Sequence, residues 1–226
     1  MRSSSLLESV LDAILEPIPD ESERALERAW NRLPTHLQTD QQFLGRQYAG
    51  CGATVGAMPR CDFACRGCYL GASANRVPPL PLSALKAQLA DLREWLGPGG
   101  NLQLTDGEVA LRDPDELIEL IRHARRIGLS PMLMSHGEGF RCEPERLKRL
   151  IVEGGLRELS IHIDSTQRGR RDAAYRTARR EAELMPLRDS FAELIREIRR
   201  ETRRPLHVAS TVTVTRDNLA DVAHVV

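Results

Sequence analysis

Leu156-Arg157-Glu158-Leu159-Ser160-Ile161-His162-Ile163-Asp164 alternates side-chain character at every step from residue 159 onward, with Leu159, Ile161 and Ile163 apolar and Ser160, His162 and Asp164 polar. A period of two is that of a strand with one face buried and the other open to polar surroundings. A strand inside a doubly wound sheet is covered on both faces and reads as nearly continuous apolar sequence. The alternation therefore favours a barrel or partial barrel over Rossmann-like winding, which stays open as the alternative. Gln103 and Thr105 in an earlier strand-like run, and Thr211, Thr213 and Thr215 in a later one, repeat the polar face.

Outward from this stretch, the chain alternates strands and helices. A first strand ends near Pro59 and is followed by a loop from Cys61 to about Arg76. Leu82, Leu85, Leu89, Leu92 and Leu96 then mark an amphipathic helix stopped by Gly97-Pro98-Gly99-Gly100. A strand is expected over 102–105. Asp113 is placed as the N-cap of the next helix, with Pro114 at its first position, Glu116 completing a capping box, and Leu117, Ile118, Ile121, Ala124 and Ile127 as its buried stripe. Residues 130–135 form the third strand. Pro144-Glu145 opens a helix with Leu147, Leu150 and Ile151, residues 156–164 are the fourth strand, and after an Arg-rich insertion a helix with Phe191, Leu194, Ile195 and Ile198 leads to a fifth strand at 207–215.

Five strand–helix units with short connections imply a parallel sheet. The expected fold is α/β, a partial (β/α)6-type barrel over residues 47–226. Residues 1–46 read as a helical N-terminal extension, with Leu6, Leu7, Val10, Leu11, Ile14 and Leu15 at helical spacing before Pro17. The sequence stops at Val226 partway along a helical pattern, so it reads as a segment of a longer polypeptide whose barrel continues.

With 226 residues and 41% apolar content the chain can fill one full-sized core, and equal numbers of acidic and basic residues, 32 each, point to neither a nucleic acid nor an anionic membrane as partner. Lys86 and Lys148 are the only lysines, so runs of Arg carry less weight as binding signals than they otherwise would. Five cysteines, three of them bunched, do not make a secreted disulfide scaffold, and no run of about 18 apolar residues occurs. A cytoplasmic protein without membrane insertion is expected.

The chemistry concentrates in Cys61-Asp62-Phe63-Ala64-Cys65-Arg66-Gly67-Cys68, placed after the first strand, where barrels gather functional groups. Three thiolates so spaced are soft ligands for zinc or an iron–sulfur cluster. They can hold three irons of a 4Fe-4S cube and leave the fourth open. Structural zinc wants a fourth ligand, usually from a second spaced pair, whereas Cys51 and Cys142 are isolated.

Cys-x3-Cys-x2-Cys in this position resembles the defining motif of the radical SAM superfamily. That resemblance, covering residues 48 to 226, implies that Cys61, Cys65 and Cys68 bind a [4Fe-4S] cluster and that the open iron takes S-adenosyl-L-methionine. It further implies reductive cleavage to a 5′-deoxyadenosyl radical, hydrogen abstraction from a substrate the sequence does not identify, and an electron donor such as a flavodoxin or ferredoxin. Thr105-Asp106-Gly107-Glu108-Val109 is similar to the family's Gly-Gly-Glu-Pro motif, which makes Gly107 and Glu108 the expected receivers of the SAM amino group, although Asp106 and Val109 depart from the pattern. The family's aromatic residue before the last cysteine is replaced by Gly67, and Tyr69 lies one residue after that cysteine, a candidate to pack on adenine. Ser160, and Ser135 with His136 at the end of the third strand, are further candidates for SAM contact.

His162 shares the open face with Asp164 and reads either as a proton donor to substrate or as a hydrogen-bonded wall residue. Arg168, Arg170 and Arg171, just after the fourth strand, could bind the SAM carboxylate or an anionic substrate, and the remaining arginines to 204 read as a solvated helix face rather than an RNA surface. The alternatives are a zinc-stabilised binding module, with RNA as a possible ligand, and a barrel that holds a cluster without turning over SAM.

Overall fold

The computed structural model describes residues 52–71, 75–97, 99–168, 178 and 180–222, with the pair 31–32. The expected N-terminal extension, apart from that pair, and Cys51, Arg170 and Arg171 lie outside the described residues.

Strands β1 (Gly52–Met58), β2 (Asn101–Gly107), β3 (Ser130–Ser135), β4 (Glu158–His162) and β5 (His207–Thr211) form one sheet in which every neighbouring pair is parallel. Their spatial order is β1-β2-β3-β4-β5, the order of the sequence. Doubly wound sheets reverse direction at a switch point. A sheet without reversal, joined by right-handed crossovers, carries its connecting helices on one face and curls toward a barrel. The structure is thus a five-stranded partial barrel.

Register explains the alternation. Val55, Leu104, Leu133, Leu159 and Val208 are aligned across all five strands. The first four are buried and Val208 packs against the same core. One residue back, Thr54, Gln103, Met132, Glu158 and His207 form the opposite row, and none of them is buried. A one-residue slip would exchange the rows, so burying the first row fixes the register.

The core side is covered by α1 (Leu82–Leu96), α2 (Pro114–Arg126), α4 (Pro144–Val152) and α5 (Met185–Thr202), each packed on the next, with a short α3 (Glu138–Cys142) before α4 and α6 (Leu219–Val222) after β5. Asp113 caps α2 as expected, its carboxylate accepting from the amides of Asp115 and Glu116. Glu116 does not complete the box but pairs with Arg112 at 2.9 Å. Arg112, itself buried, donates to the carbonyls of Ala57 and Leu80 and so ties α2 to β1. Leu120 joins the buried stripe of α2 while Ile127 is only partly buried.

Two strands are shorter than the sequence pattern. β5 ends at Thr211 because the chain then turns to donate Thr213 N–H to the Asp164 carboxylate, and β4 ends at His162 because the loop behind it is held by side chains. There, buried Glu181 accepts from Ser165 N–H, Asn218 and Arg188, and Arg188 also donates to Ile163 O. Arg188 is therefore not part of a solvated face. No helix among the described residues is long and apolar enough to cross a membrane.

Candidate active site at the strand ends

The cysteine loop is anchored at both ends. Asn75, in the left-handed region at φ 67°, accepts from Cys61 N–H and donates to Cys61 O, while its own amide donates to Pro59 O. Further along, Ala64 N–H donates to Arg168 O and Arg66 N–H to Thr166 O, so the loop leaves β1 and reaches the segment after β4. Cys61 and Cys65 are half-buried, Cys68 is exposed, and all three are free thiols. Burial pushes the Cys65 thiol up to about 12, and negative charge at Cys61, Cys68 and Asp164 adds to the effect. Gly67 takes φ 75° with open space where a side chain would sit, so the turn between Cys65 and Cys68 needs its backbone freedom and not its smallness.

At the end of β2, Asp106 and Gly107 both have positive φ, 76° and 67°. Asp is among the residues that tolerate this region. At Gly107 a Cβ would lie 2.4 Å from Arg60 O and 2.5 Å from Met58 O. The close approach is used by Glu108 N–H, which donates to Arg60 O at 2.7 Å and bolts the end of β2 to the start of the cysteine loop. The Asp106 side chain lies over Gly56, where a Cβ would meet Oδ2 at 2.7 Å. Tyr69, 77% exposed, donates its hydroxyl to Asp106 Oδ1 at 3.2 Å.

Glu108 is buried and its carboxylate is satisfied within the chain. Oε1 accepts from Ala110 N–H (2.9 Å) and Ser135 Oγ (2.7 Å), and Oε2 from His136 N–H (2.9 Å). Ser135 Oγ in turn accepts from Gly137 N–H. Gly107, Glu108, Ser135 and His136 thus form one connected unit joining the ends of β2 and β3. Ser160 is buried on the open face, opposite Met134 and Ala209 in the register.

His136 links that unit to the cysteines. Its ring stacks on Phe63 with centroids 3.8 Å apart and planes at 5°. Nε2 lies 2.9 Å from Asp62 Oδ1 and 3.2 Å from Glu108 Oε2, and Nδ1 accepts from Glu138 N–H at 3.2 Å. Burial disfavours the charged ring while Glu108, Asp62 and Cys61 push its pKa up to about 10; against that push, the Glu138 N–H aimed at Nδ1 needs a lone pair there, and this geometry belongs to the neutral ring with its hydrogen on Nε2. Ligand atoms of Cys61, Asp62 and His136 all fall within 4.8 Å of one another. Asp62, Phe63 and Asn75 carry no motif signal in a single sequence, although Asp62 and Phe63 sit inside the cysteine stretch.

A second group lies behind the loop. His162 Nε2 is hydrogen-bonded to Asp164 Oδ2 and lies 2.9 Å from Thr213 Oγ1. Asp164 is fully buried and also accepts from Thr166 and Thr213 amides. Burial opposes its ionisation, but the bonds from His162, Thr166 and Thr213 hold the carboxyl well below the usual carboxylate range. The His162 side chain, tied to Asp164 through Nε2, is half-exposed. Arg168 turns its guanidinium back onto Ser165 O and Gln167 O, which commits those donors to the loop itself.

No protein-family model matches the chain, and no curated protein matches it. Solved structures similar to it include native anSMEcpe with bound AdoMet, at 12% identity and TM-score 0.44, over 69% of this chain and 42% of that one. Another is native anSMEcpe with bound AdoMet and Kp18Cys peptide, at 11% identity and TM-score 0.46, over 69% and 41%. The chain thus spans less than half the length of these solved structures.

Proposed function

We propose that this chain is the core of a radical SAM enzyme. The observation that carries the reading is the cysteine loop itself, three free thiols in Cys-x3-Cys-x2-Cys spacing at the end of β1, bonded to both the β2 end and the β4 loop. The donor set fits an iron–sulfur cluster. Three thiolates supply one terminal ligand to each of three irons, and both the burial of Cys65 and the charge of Cys61 and Cys68 beside it disfavour a bare thiolate there, a cost that cationic iron offsets. When bound and reduced, a 4Fe-4S cluster supplies the electron that cleaves S-adenosylmethionine to methionine and a 5′-deoxyadenosyl radical, which takes hydrogen from the substrate.

The chain's own residues then have distinct tasks. Cys61, Cys65 and Cys68 hold the cluster. The Gly107-Glu108 strand end receives the SAM ammonium, with Asp106 beside it held by the Tyr69 hydroxyl and Glu108 fixed by Ser135. Tyr69 and Ser160 flank the SAM site, and His162, held on Asp164, is the proton donor to substrate. Electrons come from a flavodoxin- or ferredoxin-type donor.

The test is anaerobic reconstitution followed by dithionite and SAM. The reading expects 5′-deoxyadenosine from the wild type and none from Cys65→Ala. A wild-type protein that assembles its cluster yet forms no 5′-deoxyadenosine would leave a cluster-binding barrel without SAM turnover.

A further inference from the structure

We propose that His136 sets the electron affinity of the cluster by donating its Nε2 hydrogen to the Cys61 sulfur, an inference that rests on the cluster reading above. His136 leaves the end of β3, is 7% exposed, and is held flat on Phe63. The Glu138 amide points at Nδ1 from 3.2 Å, so Nδ1 presents its lone pair and the ring hydrogen sits on Nε2. Protonating the ring leaves Nε2 a donor as well. That nitrogen lies 2.9 Å from Asp62 Oδ1 and 3.2 Å from Glu108 Oε2, and the Cys61 sulfur forms with this ring and Asp62 a cluster of ligand atoms all within 4.8 Å of one another.

The same three residues, Cys61, Asp62 and His136, could be taken for a site for a single divalent ion. The second sphere argues against it. A metal on Nε2 requires the hydrogen on Nδ1, and a ligating imidazole normally gives that hydrogen to an acceptor. Here Nδ1 meets a backbone N–H instead. His136 is built as a donor to the sulfur, not as a ligand beside it.

A cysteine sulfur that accepts N–H bonds places less negative charge on iron, which favours the reduced cluster and raises its reduction potential. Cys61 already accepts from Phe63 N–H at 3.4 Å, and His136 adds a second donor that Asp62 partly draws away. His136 is thus a positioning and tuning residue, with Asp62 as its counterweight.

The measurement is the midpoint potential of the anaerobically reconstituted full chain, titrated with dithionite and mediators and followed by visible absorbance and electron paramagnetic resonance. His136→Phe keeps the stack on Phe63 and removes the donor, and its potential should fall. His136→Gln restores an N–H and should recover toward the wild type. Asp62→Ala removes the competing acceptor and should shift the potential upward. If His136→Phe fails to take up a cluster, the other two variants decide. Equal potentials in the wild type and in every variant that assembles would overturn the inference and leave the cluster reading intact. A wild type that binds zinc in place of a cluster, and loses it in His136→Phe, would overturn both in favour of a mononuclear site.

Discussion

Gly107→Ala tests how the strand ends are joined, with Gly67→Ala as its control. The two glycines have nearly the same left-handed conformation, φ 67° and 75°, so each substitution carries the same backbone strain, about 1–2 kcal/mol. Their surroundings differ. At Gly67 a Cβ meets nothing within 4 Å, whereas at Gly107 it meets Arg60 O at 2.4 Å and Met58 O at 2.5 Å. Backbone atoms cannot step aside like a flexible side chain, so the strand ends must part by about 1 Å, an overpacking cost of about 1–3 kcal/mol. Parting them also weakens the Glu108 N–H to Arg60 O bond, which contributes about 1 kcal/mol. The expected destabilisation is roughly 3–6 kcal/mol for Gly107→Ala and roughly 1–2 kcal/mol for Gly67→Ala. Urea unfolding followed by circular dichroism reads both. Equal losses, within about 0.5 kcal/mol, would refute the close approach of β1 and β2 at Arg60.

Two further outcomes follow from buried hydrogen bonds. Ser135→Ala removes one donor to Glu108 and the acceptor of Gly137 N–H, both buried, and should cost roughly 2–4 kcal/mol in the same unfolding experiment. The folded-state pKa of Asp164 is depressed, so its stabilisation is complete above the ordinary carboxylate range and is lost as pH falls through the lower folded value. Asp164→Asn should therefore be less stable than the wild type at neutral pH but show a shallower loss of stability below about pH 4, measured as urea midpoints across a pH series.

The parts legible in the sequence are those fixed by local pattern. The period of two in residues 159–164 marks an apolar and a polar face because successive side chains of β4 point to opposite sides, although Ser160 and Asp164 on the polar side are buried by the loops over it, and the Asp113-Pro114 pair marks the start of α2 because capping is a local hydrogen-bond problem. The position of the cysteine loop directly after β1 is legible because Pro59 ends the strand's apolar run. Strand ends were overrun at β4 and β5 because what stops them is tertiary, the Thr213 amide turning to Asp164 and Glu181 gathering Ser165, Arg188 and Asn218 from distant segments. Short α3 went unread because five residues starting from a left-handed Gly137 carry too little periodicity. The interior of the site was hidden for the same reason. Asn75, Asp62 and Phe63 act through residues that only folding brings near, and Asp106 and Tyr69, two departures from the motif, turn out to be hydrogen-bonded to each other.

The most direct test of the central claim is the metal content of the anaerobically reconstituted chain, measured as iron, acid-labile sulfide and zinc on one sample with Mössbauer spectroscopy of the iron. The account predicts a brown protein with about four irons and four sulfides per chain, lost together in Cys61→Ala, Cys65→Ala and Cys68→Ala. A colourless protein holding about one zinc per chain and no iron would contradict it.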